Sequence, residues 1–403
     1  MSKKDKYVVG LDIGSTKTCV LIAELADERV KFLALGAAES KGLRKGTIVN
    51  LDSTVSSIRR SVEEAEGVSG IPVESALIGV AGSHVRGLNS RAGVTLGNRA
   101  RDIEREDVRH AIDAARNINL PDDREVLHVL PQEFFLDRQD NIRDAIGMVG
   151  VRLEANVHIV TASGSSTQNI VTAVNRAGVR VDDTVLEPLA CAEACVTQDE
   201  RELGCCLLDI GGGTTDMLVF TGGVVRHTAS IPVGGDHVTN DLAVGLRTPV
   251  PEAEKLKRKH ACGFRELVKE DFPIEIASVG DRPPRTVFAL MLTDIVEPRE
   301  QEFLMLVRDE LRRAGLDSQI PAGIILTGAG AKLRGLVELA EHVFKLPVRV
   351  AVPRGLAEMS EEVSRPEYST AVGLVLYGAR TRRLAGARPN GWTGKLRALF
   401  AGQ

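Results

Sequence analysis

Two stretches of this 403-residue chain place an aspartate directly before a glycine-rich turn, in LDIGSTKTCV (11–20) and LDIGGGTTDM (208–217). Glycines let the backbone approach a ligand closely, and the successive N–H groups of such a turn form a concavity that binds phosphate oxygens. The repeated pattern therefore predicts phosphate binding at two turns about half a chain apart. Hydroxyl groups are expected to add donors there, from Thr16, Thr18, Thr214 and Thr215.

The acidic residues of the two stretches, Asp12 and Asp209, predict a cation in the same place. A carboxylate beside a phosphate repels it unless a hard cation such as Mg²⁺ lies between them. Two opposed turns would thus hold the phosphates of a magnesium-bound nucleotide from both sides. The alternative is that aspartate and glycine only build tight turns here. Two matched copies favour the ligand site.

Short apolar, β-branched runs flank both turns, which is typical of β-hairpins rather than of a strand that leads into a helix. The phosphate-loop pattern G-x-x-x-x-G-K-[ST] is absent from the chain. We therefore expect two hairpins, each with its turn directed at the same ligand.

A third glycine signal lies in IILTGAGAKLRGLVELAEHVF, residues 324–344. It predicts a buried strand, a turn with Gly328 and Gly330, and a helix whose apolar face carries Leu333, Val337, Ala340 and Phe344. The acidic residue that a dinucleotide-binding fold needs about 20 positions later is missing, so a Rossmann fold is rejected. The glycines could instead hold adenosine through backbone donors at the helix start.

Composition and charge argue against nucleic-acid binding, secretion and a membrane-spanning helix. The net charge of −4 and the aromatic content of 3% give no reason to expect nucleic acid. The N-terminal MSKKDKYVVG lacks the apolar region of a secretory signal, and no apolar run reaches the roughly 18 residues of a bilayer-spanning helix. Six cysteines without a C-x-x-C pair are expected to be reduced, buried residues of a cytosolic protein.

Predicted helices alternate with strands along the rest of the chain. The clearest are TVSSIRRSVEEAEG, which should end at Gly67, residues 103–116, STQNIVTAVNRAG and EPREQEFLMLVRDELRRAG. Such alternation predicts an α/β fold. The repeated hairpin predicts two α/β domains that face one another across a cleft.

Several further motifs carry a family resemblance: EPLACAEAC, IPVGGDHVTNDLA, RPPRTVFALMLTDIVEPREQEF and EYSTAVGLVLYGA. With the two hairpins and the later strand–GAG–helix, they resemble the actin-like ATPase superfamily. The resemblance is closer to the FtsA family of bacterial cell-division proteins and runs from about Val8 to Arg380. It implies an α/β fold with duplicated actin-like (ribonuclease H-like) domains around a nucleotide cleft.

The resemblance implies roles for individual residues. Asp12 and Asp209 would organise Mg²⁺ through water, and Glu187 would orient the attacking water. The phosphate loops would be Gly14, Ser15, Thr16 and Lys17, and Gly211, Gly212, Gly213, Thr214 and Thr215. ATP would also lie beside Glu254 and Lys257, with adenosine on Gly328, Ala329 and Gly330.

Two of these roles have open alternatives. Glu187 could simply favour a helix N-terminus through its negative charge. Glu254 and Lys257 lie in EAEKLKRKH, where a solvated i, i+3 pair is the commoner arrangement.

The resemblance also implies a division of the chain. Residues 1–83 with 164–190, and 191–226 with 305–380, would form the two actin-like subdomains. Residues 84–163 would be the FtsA-type inserted subdomain, a contact surface for partners or for the next protomer. Residues 227–304 would form a small subdomain over the nucleotide, and 381–403 a basic linker with an amphipathic helix.

Two surfaces are expected to bind partners. Arg285 and Arg299 match family contacts to the acidic C-terminal peptide of FtsZ, the tubulin-like ring protein, since arginine forks pair with carboxylates; the alternative is two ordinary surface arginines. Near the C-terminus, one helical face and its basic flanks predict binding to an anionic membrane surface rather than packing in a core: Trp392, Lys395, Leu396, Arg397, Leu399 and Phe400.

Taken together, the resemblance implies an ATP-binding, actin-like protein that polymerises under the cytoplasmic (inner) membrane at the division site. It would anchor the FtsZ ring, help to recruit later division proteins and hydrolyse ATP slowly at most. The alternatives are a small-molecule kinase of the same superfamily and a pilus-assembly adaptor. A chaperone would need a substrate-binding domain, and none is expected after Arg380.

Overall fold

The computed structural model describes residues 6–26, 29–280 and 282–385. The first ten strands are β1 (Tyr7–Ile13), β2 (Lys17–Ala26), β3 (Arg29–Glu39), β4 (Leu43–Arg44), β5 (Thr47–Ile48), β6 (Ser75–Val80), β7 (Arg86–Thr95), β8 (Arg101–Asp102), β9 (Arg124–Leu136) and β10 (Gln139–Ile142). The remaining strands are β11 (Val149–Gly150), β12 (Arg152–Ser163), β13 (Arg180–Leu186), β14 (Cys205–Ile210), β15 (Thr215–Thr221), β16 (Val224–Ile231), β17 (Pro273–Ile276), β18 (Arg285–Phe288), β19 (Ile324–Thr327) and β20 (Val348–Val350). The helices are α1 (Leu51–Ser69), α2 (Arg105–Arg116), α3 (Gly164–Arg176), α4 (Glu187–Cys195), α5 (Gln198–Leu203), α6 (Gly235–Gly245), α7 (Val250–His260), α8 (Ala289–Arg313), α9 (Leu336–Phe344) and α10 (Ser369–Ala385).

Two five-stranded sheets have the same topology. We call the part of the chain built on the sheet β3-β2-β1-β6-β13 the first lobe. The part built on the sheet β16-β15-β14-β19-β20 is the second lobe. Each sheet has three antiparallel strands followed by two parallel ones. The α/β duplication that the repeated hairpin predicts is therefore present.

Two helices lie between the sheets. Helices α4 and α10 pack on each other, with α10 also against β1 and β2 and α4 also against β14 and β15. Their apolar side chains join one buried cluster that contains residues of both sheets, including Leu21 and Leu207. These two helices therefore connect the lobes at the base of the cleft.

Between β6 and β13 of the first sheet, the chain forms a four-stranded sheet, β10-β9-β12-β7, covered by α2. We call this unit, from β7 to β12, the inserted subdomain. A second small unit, made of α6, α7, the β17–β18 pair and the start of α8, has its own apolar cluster around Leu242 and Leu292.

Helices or strands run across four of the expected subdomain limits: α4 across 190/191, β16 across 226/227, α8 across 304/305 and α10 across 380/381. Strand β16 continues to Ile231, so the second sheet extends beyond 226. Helix α8 packs in the small unit through Leu292 and Val296, and in the second lobe through Phe303 and Leu304. The boundary between these two units therefore falls within the helix.

Three helices differ from the sequence prediction. Helix α1 does not end at Gly67; it ends at Gly70, whose φ of 68° closes the last turn through an N–H bond to Glu66. Helix α8 begins at Ala289 and has Pro298 inside it. Helix α9 starts only at Leu336 because a 3-10 turn precedes it, and its buried face is Leu336, Leu339, Ala340 and Val343.

None of the helices in the described part of the chain combines the length and apolar character needed to cross a membrane. The predicted membrane-binding residues, at positions 392–400, lie outside the described residues.

Candidate functional site

The turns of two hairpins face one another across a cleft between the lobes. The cleft is lined by Asp12, the turn residues 14–17 and 211–214, Glu187, Asp209, Asp216, Gly328, Ala329 and Thr370, among others. The turns approach so closely that a Cβ atom added to Gly212 would lie 2.2 Å from Thr16 Oγ1. The sequence repeat therefore brings its two copies to one site.

Both hairpins have the same backbone geometry. In the β1–β2 hairpin the N–H of Gly14 donates to the carbonyl of Lys17 over 2.9 Å, and in the β14–β15 hairpin Gly211 donates to Thr214 over 2.9 Å. Asp12 and Asp209 occupy equivalent positions, two residues before these glycines. This equivalence places one carboxylate at the mouth of each turn.

Five carboxyl groups share the cleft with little positive charge, those of Asp12, Glu187, Asp209, Asp216 and Glu367. Burial raises the pKa of Asp12 to about 6 and that of Asp216 to about 7, and Asp209 adds to both effects. Burial and the neighbouring aspartates raise the pKa of Glu187 well above its usual range. Burial also raises the pKa of Asp209, although the Lys17 charge and a hydrogen bond from Thr370 oppose it. The site therefore holds negative charge that a cation would stabilise.

Magnesium bound through water fits this donor set. Within the described residues, no three His, Cys, Asp or Glu side chains lie close enough to hold a metal ion directly. Mg²⁺ usually keeps several waters and takes one or two carboxylates together with phosphate oxygens. Asp12 and Asp209 can supply those carboxylates.

Lys17 is already engaged at the edge of the cleft. Its Nζ donates to the carbonyl of Glu367 over 2.6 Å and lies 3.5 Å from the centre of the Tyr368 ring. The ammonium is thus held where it lowers the pKa of both Asp12 and Asp209.

Two predicted hydroxyl donors do not face the cleft. Thr215 is fully buried, and its Oγ1 donates to the carbonyl of Val233 over 2.8 Å. Thr18 is also buried, with its Oγ1 3.1 Å from Ser40 Oγ. Because side chains alternate along a strand, these two point away from the turn. Thr16 and Thr214 do line the cleft.

Glu187 lies at the first position of α4 and lines the cleft. A Cβ atom on Gly79 would lie 2.6 Å from Glu187 Cγ, so this glycine makes room for the carboxyl group. Glu187 thus lies both at a helix N-terminus and in the cleft lining, the two locations that its alternative roles require.

The glycine turn after β19 contacts the second hairpin. Gly328 has a φ of 81°, and a Cβ atom there would lie 2.4 Å from Asp209 Oδ1. A Cβ atom on Gly330 would lie 2.3 Å from Ile210 Cγ2. Gly328 and Ala329 line the cleft, whereas Gly330 packs behind it.

Glu254 and Lys257 lie behind the second turn rather than in the cleft lining. Lys257 Nζ is 2.7 Å from Glu254 Oε2 and donates to the carbonyl of Gly235 over 2.9 Å. Gly235 in turn donates to the carbonyl of Gly211 over 3.0 Å. The side chain of Lys257 is only 16% exposed, so this is not a solvated surface pair.

Three polar residues of the cleft were not singled out from the sequence. Asp216 lies opposite Asp209 in the hairpin register, and Thr370 Oγ1 donates to Asp209 Oδ2 over 2.9 Å. Glu367 also lines the cleft. Asp216 could have been found from the second stretch itself, because antiparallel pairing across the turn sets it against Asp209; the other two depend on the placement of α10.

The two candidate partner-binding arginines lie in the small unit. Arg285 is exposed at the start of β18 and donates to the carbonyl of Leu246. Arg299 on α8 forms ion pairs with Asp241 and Glu302, both over 2.5 Å. Arg299 is therefore already neutralised within the chain.

Family comparisons match two segments of the chain. Residues 206–373 match the model described as cell division protein FtsA, and residues 82–161 match the SHS2 domain inserted in FTSA. The second segment coincides closely with the inserted subdomain.

Solved structures share the fold at low sequence identity. A PilM–PilN type IV pilus biogenesis complex matches with a TM-score of 0.67 and 17% identity, over 92% of this chain and 98% of that one. MreB5 of Spiroplasma citri bound to AMPPNP matches with a TM-score of 0.60 and 13% identity, over 95% and 98%. The fold is the actin-like one.

Sequence relatives are much closer. The cell division protein FtsA of Pseudomonas aeruginosa is 47% identical over 374 residues, which cover 93% of this chain and 89% of that protein. FtsA of Escherichia coli strain K12 is 38% identical, over 93% and 90%. The chain therefore belongs to the FtsA family of cell division proteins.

Proposed function

We propose that this cell-division protein binds Mg²⁺-ATP in the cleft and uses it to set the arrangement of its lobes. It would polymerise on the cytoplasmic face of the cell membrane, anchor the FtsZ ring there and help to recruit later division proteins. The observation that carries the proposal is the pair of equivalent turns, each preceded by an aspartate that lines the cleft, that meet at one site.

The cleft supplies separate groups for phosphate and for cation. The N–H groups of residues 15–17 and 212–214 would hold phosphate oxygens, with hydroxyl donors from Thr16 and Thr214. Asp12 and Asp209 would hold the cation through water. A bound Mg²⁺ would supply positive charge for the carboxylates and the phosphates together.

Glu187 would accept a hydrogen bond from the water that attacks the terminal phosphate. For this it must be ionised, whereas burial and three aspartates raise its pKa well above the usual range. A cation bound with the nucleotide would bring that pKa down. We therefore expect hydrolysis to be slow and ATP to act mainly as a ligand that closes the lobes.

The small unit would bind the acidic C-terminal peptide of FtsZ. Arg285 is exposed, and two exposed aromatic side chains, Phe272 and Phe288, lie at the other end of the β17–β18 pair. An exposed arginine with nearby apolar side chains suits a peptide that carries both carboxylates and apolar residues. Arg299 would contribute only if the peptide shifts its pairing with Asp241.

Residues 392–400 would bind the membrane as an amphipathic helix with Lys395 and Arg397 against anionic lipid. Each basic residue near the surface is worth about 1 kcal/mol, so one short helix would bind weakly. A polymer would present many such helices, and effective concentration would make binding strong. Membrane attachment and polymerisation would thus reinforce each other.

Nucleotide binding is tested by titrating the full chain with a fluorescent ATP analogue, with Mg²⁺ and with EDTA. We expect saturable binding that needs Mg²⁺ and weakens at least about tenfold in Asp209→Asn, which loses the charge that holds the cation. Asp309→Asn, at an exposed position of α8, is the matched control and should bind as wild type. Equal affinity in Asp209→Asn and the control would contradict the proposed site.

Membrane binding is tested separately by sedimentation with anionic vesicles. The full chain should sediment with vesicles more completely with Mg²⁺-ATP than without it, and the chain lacking residues 389–403 should remain in the supernatant in both conditions. Sedimentation of the shortened chain would contradict the assignment of the membrane site. A polymerisation-deficient variant that sediments as fully as wild type would contradict the coupling.

A further inference from the structure

The inserted subdomain belongs in sequence to the first lobe, but its strands contact the second lobe along β16. The contact is polar and deeply buried: His158 on β12 is fully buried, and Thr228 on β16 is 4% exposed. A Cβ atom on Gly87 of β7 would lie 2.3 Å from Thr228 Oγ1. The two units therefore meet at a position where only glycine fits.

Every polar atom of His158 has a definite partner at this junction. His158 Nδ1 lies 2.7 Å from Asn89 Oδ1, and His158 Nε2 lies 2.9 Å from Thr228 Oγ1. The amide oxygen of Asn89 can only accept, so Nδ1 carries the proton and Nε2 accepts from the Thr228 hydroxyl. Burial lowers the pKa of His158 to about 3, so the ring is neutral at physiological pH.

Further contacts extend the junction along β16. Gln132 Nε2 donates to Asn89 Oδ1 over 3.2 Å and to the carbonyl of Val225 over 2.8 Å. Arg226 Nη1 lies 3.0 Å from Glu133 Oε1 at the rim. The inserted subdomain thus binds both the backbone and the side chains of one strand.

The same strand leads directly to the nucleotide cleft. Strand β16 pairs with β15 as far as Ile231 opposite Thr215, and Thr215 Oγ1 donates to the carbonyl of Val233 over 2.8 Å. The following residues contact the second turn, since Asp236 donates to the carbonyl of Gly212 over 2.9 Å. Thr228 is three residues from Ile231, about 10 Å along a strand.

We propose that the junction of His158, Asn89 and Gln132 with β16 fixes the inserted subdomain to the second lobe and transmits nucleotide-driven movement of that lobe to it. The first part, attachment of the inserted subdomain to the second lobe, depends on the contacts alone. The second part rests on the proposed nucleotide binding. The inserted subdomain would then change its position when the cleft is filled, although it lines no part of the cleft.

The test compares the full chain with two variants of one residue. Thr228→Val keeps the shape but leaves His158 Nε2 without a donor, whereas Thr228→Ser keeps the hydroxyl and is the matched control. Hydrogen–deuterium exchange is measured on strands β7, β9 and β12, with and without Mg²⁺-ATP, and nucleotide affinity is measured in parallel. Glu133→Gln, which removes only the rim charge, serves as a milder second variant if Thr228→Val does not fold.

Without nucleotide, we expect at least about tenfold faster exchange of β7 and β12 in Thr228→Val than in wild type or Thr228→Ser, since local opening limits exchange. Glu133→Gln should change exchange in the same direction but less. Exchange equal to wild type in both Thr228→Val and Glu133→Gln would overturn the first part of the proposal.

With Mg²⁺-ATP, exchange in the inserted subdomain should change in wild type and in Thr228→Ser. Thr228→Val should bind the nucleotide within about threefold of wild type but lose that change, because its junction no longer transmits the movement. The same response in wild type and Thr228→Val, or no response in a wild type that binds ATP, would overturn transmission. A wild type that binds no ATP would refute the proposed function and with it transmission, while the ligand-free comparison still decides the first part.

Discussion

Replacing Gly328 with alanine should disturb both folding and nucleotide binding, because this glycine lies directly against Asp209. Its φ of 81° lies in the left-handed region, where a side chain costs about 1–2 kcal/mol. The new Cβ atom would lie 2.4 Å from Asp209 Oδ1 and 2.6 Å from the carbonyl oxygen of Ile210, and overpacking of this kind costs about 1–3 kcal/mol. The free energy of unfolding should therefore fall by about 2–5 kcal/mol.

The assay is urea denaturation followed by far-UV circular dichroism, with Mg²⁺-ATP affinity measured on the folded protein. Gly328→Ala should also bind at least about tenfold more weakly, because Asp209 has to move. If the variant does not fold, Thr370→Val offers a milder change, since it removes the hydroxyl that donates to Asp209 Oδ2, and Thr370→Ser is its control. Wild-type stability and affinity in Gly328→Ala would contradict the close contact between Gly328 and Asp209.

Three further predictions concern other parts of the molecule. Burial raises the pKa of Glu300 to about 7, so the stability that this group contributes is present below pH 4.5 and is lost as pH rises through about 7. The free energy of unfolding should fall by about 3 kcal/mol over this range. Urea titrations should show this fall in wild type and not in Glu300→Gln. Gly67→Ala, exposed inside α1 with no atom within 4 Å of the new Cβ, should raise the free energy of unfolding by about 0.5–1 kcal/mol, and a decrease would contradict the helix. Arg285→Ala should weaken binding of an acidic FtsZ-type peptide about tenfold by calorimetry, and unchanged affinity would exclude Arg285 as a contact.

The hairpins and the duplicated α/β architecture could be predicted from sequence because their signals are local. An apolar strand, an aspartate, a glycine-rich turn and a second strand fall within about ten residues, and the pattern occurs twice. Strand register is less local. The burial of Thr18 and Thr215 follows from which face of each hairpin meets the core, and this depends on elements far away in the chain.

The predicted helix ends were wrong where tertiary packing or backbone geometry overrides a local sequence signal. Gly67 is a plausible stop, but α1 continues through it to Gly70, which supplies the left-handed φ of a helix end. Pro298 is typical of a helix start, yet α8 extends nine residues before it because Leu292 and Val296 are buried in the small unit. In α9, a 3-10 turn shifts the buried face from the predicted positions to one that begins at Leu336.

We propose that two turns, each preceded by an aspartate, hold a magnesium-bound triphosphate between the lobes. A crystal structure of the full chain with ATP and Mg²⁺ tests it most directly. We expect phosphates between residues 14–17 and 211–214, with Mg²⁺ linked through water to Asp12 and Asp209. Phosphates bound elsewhere, or a magnesium ion remote from both aspartates, would contradict it.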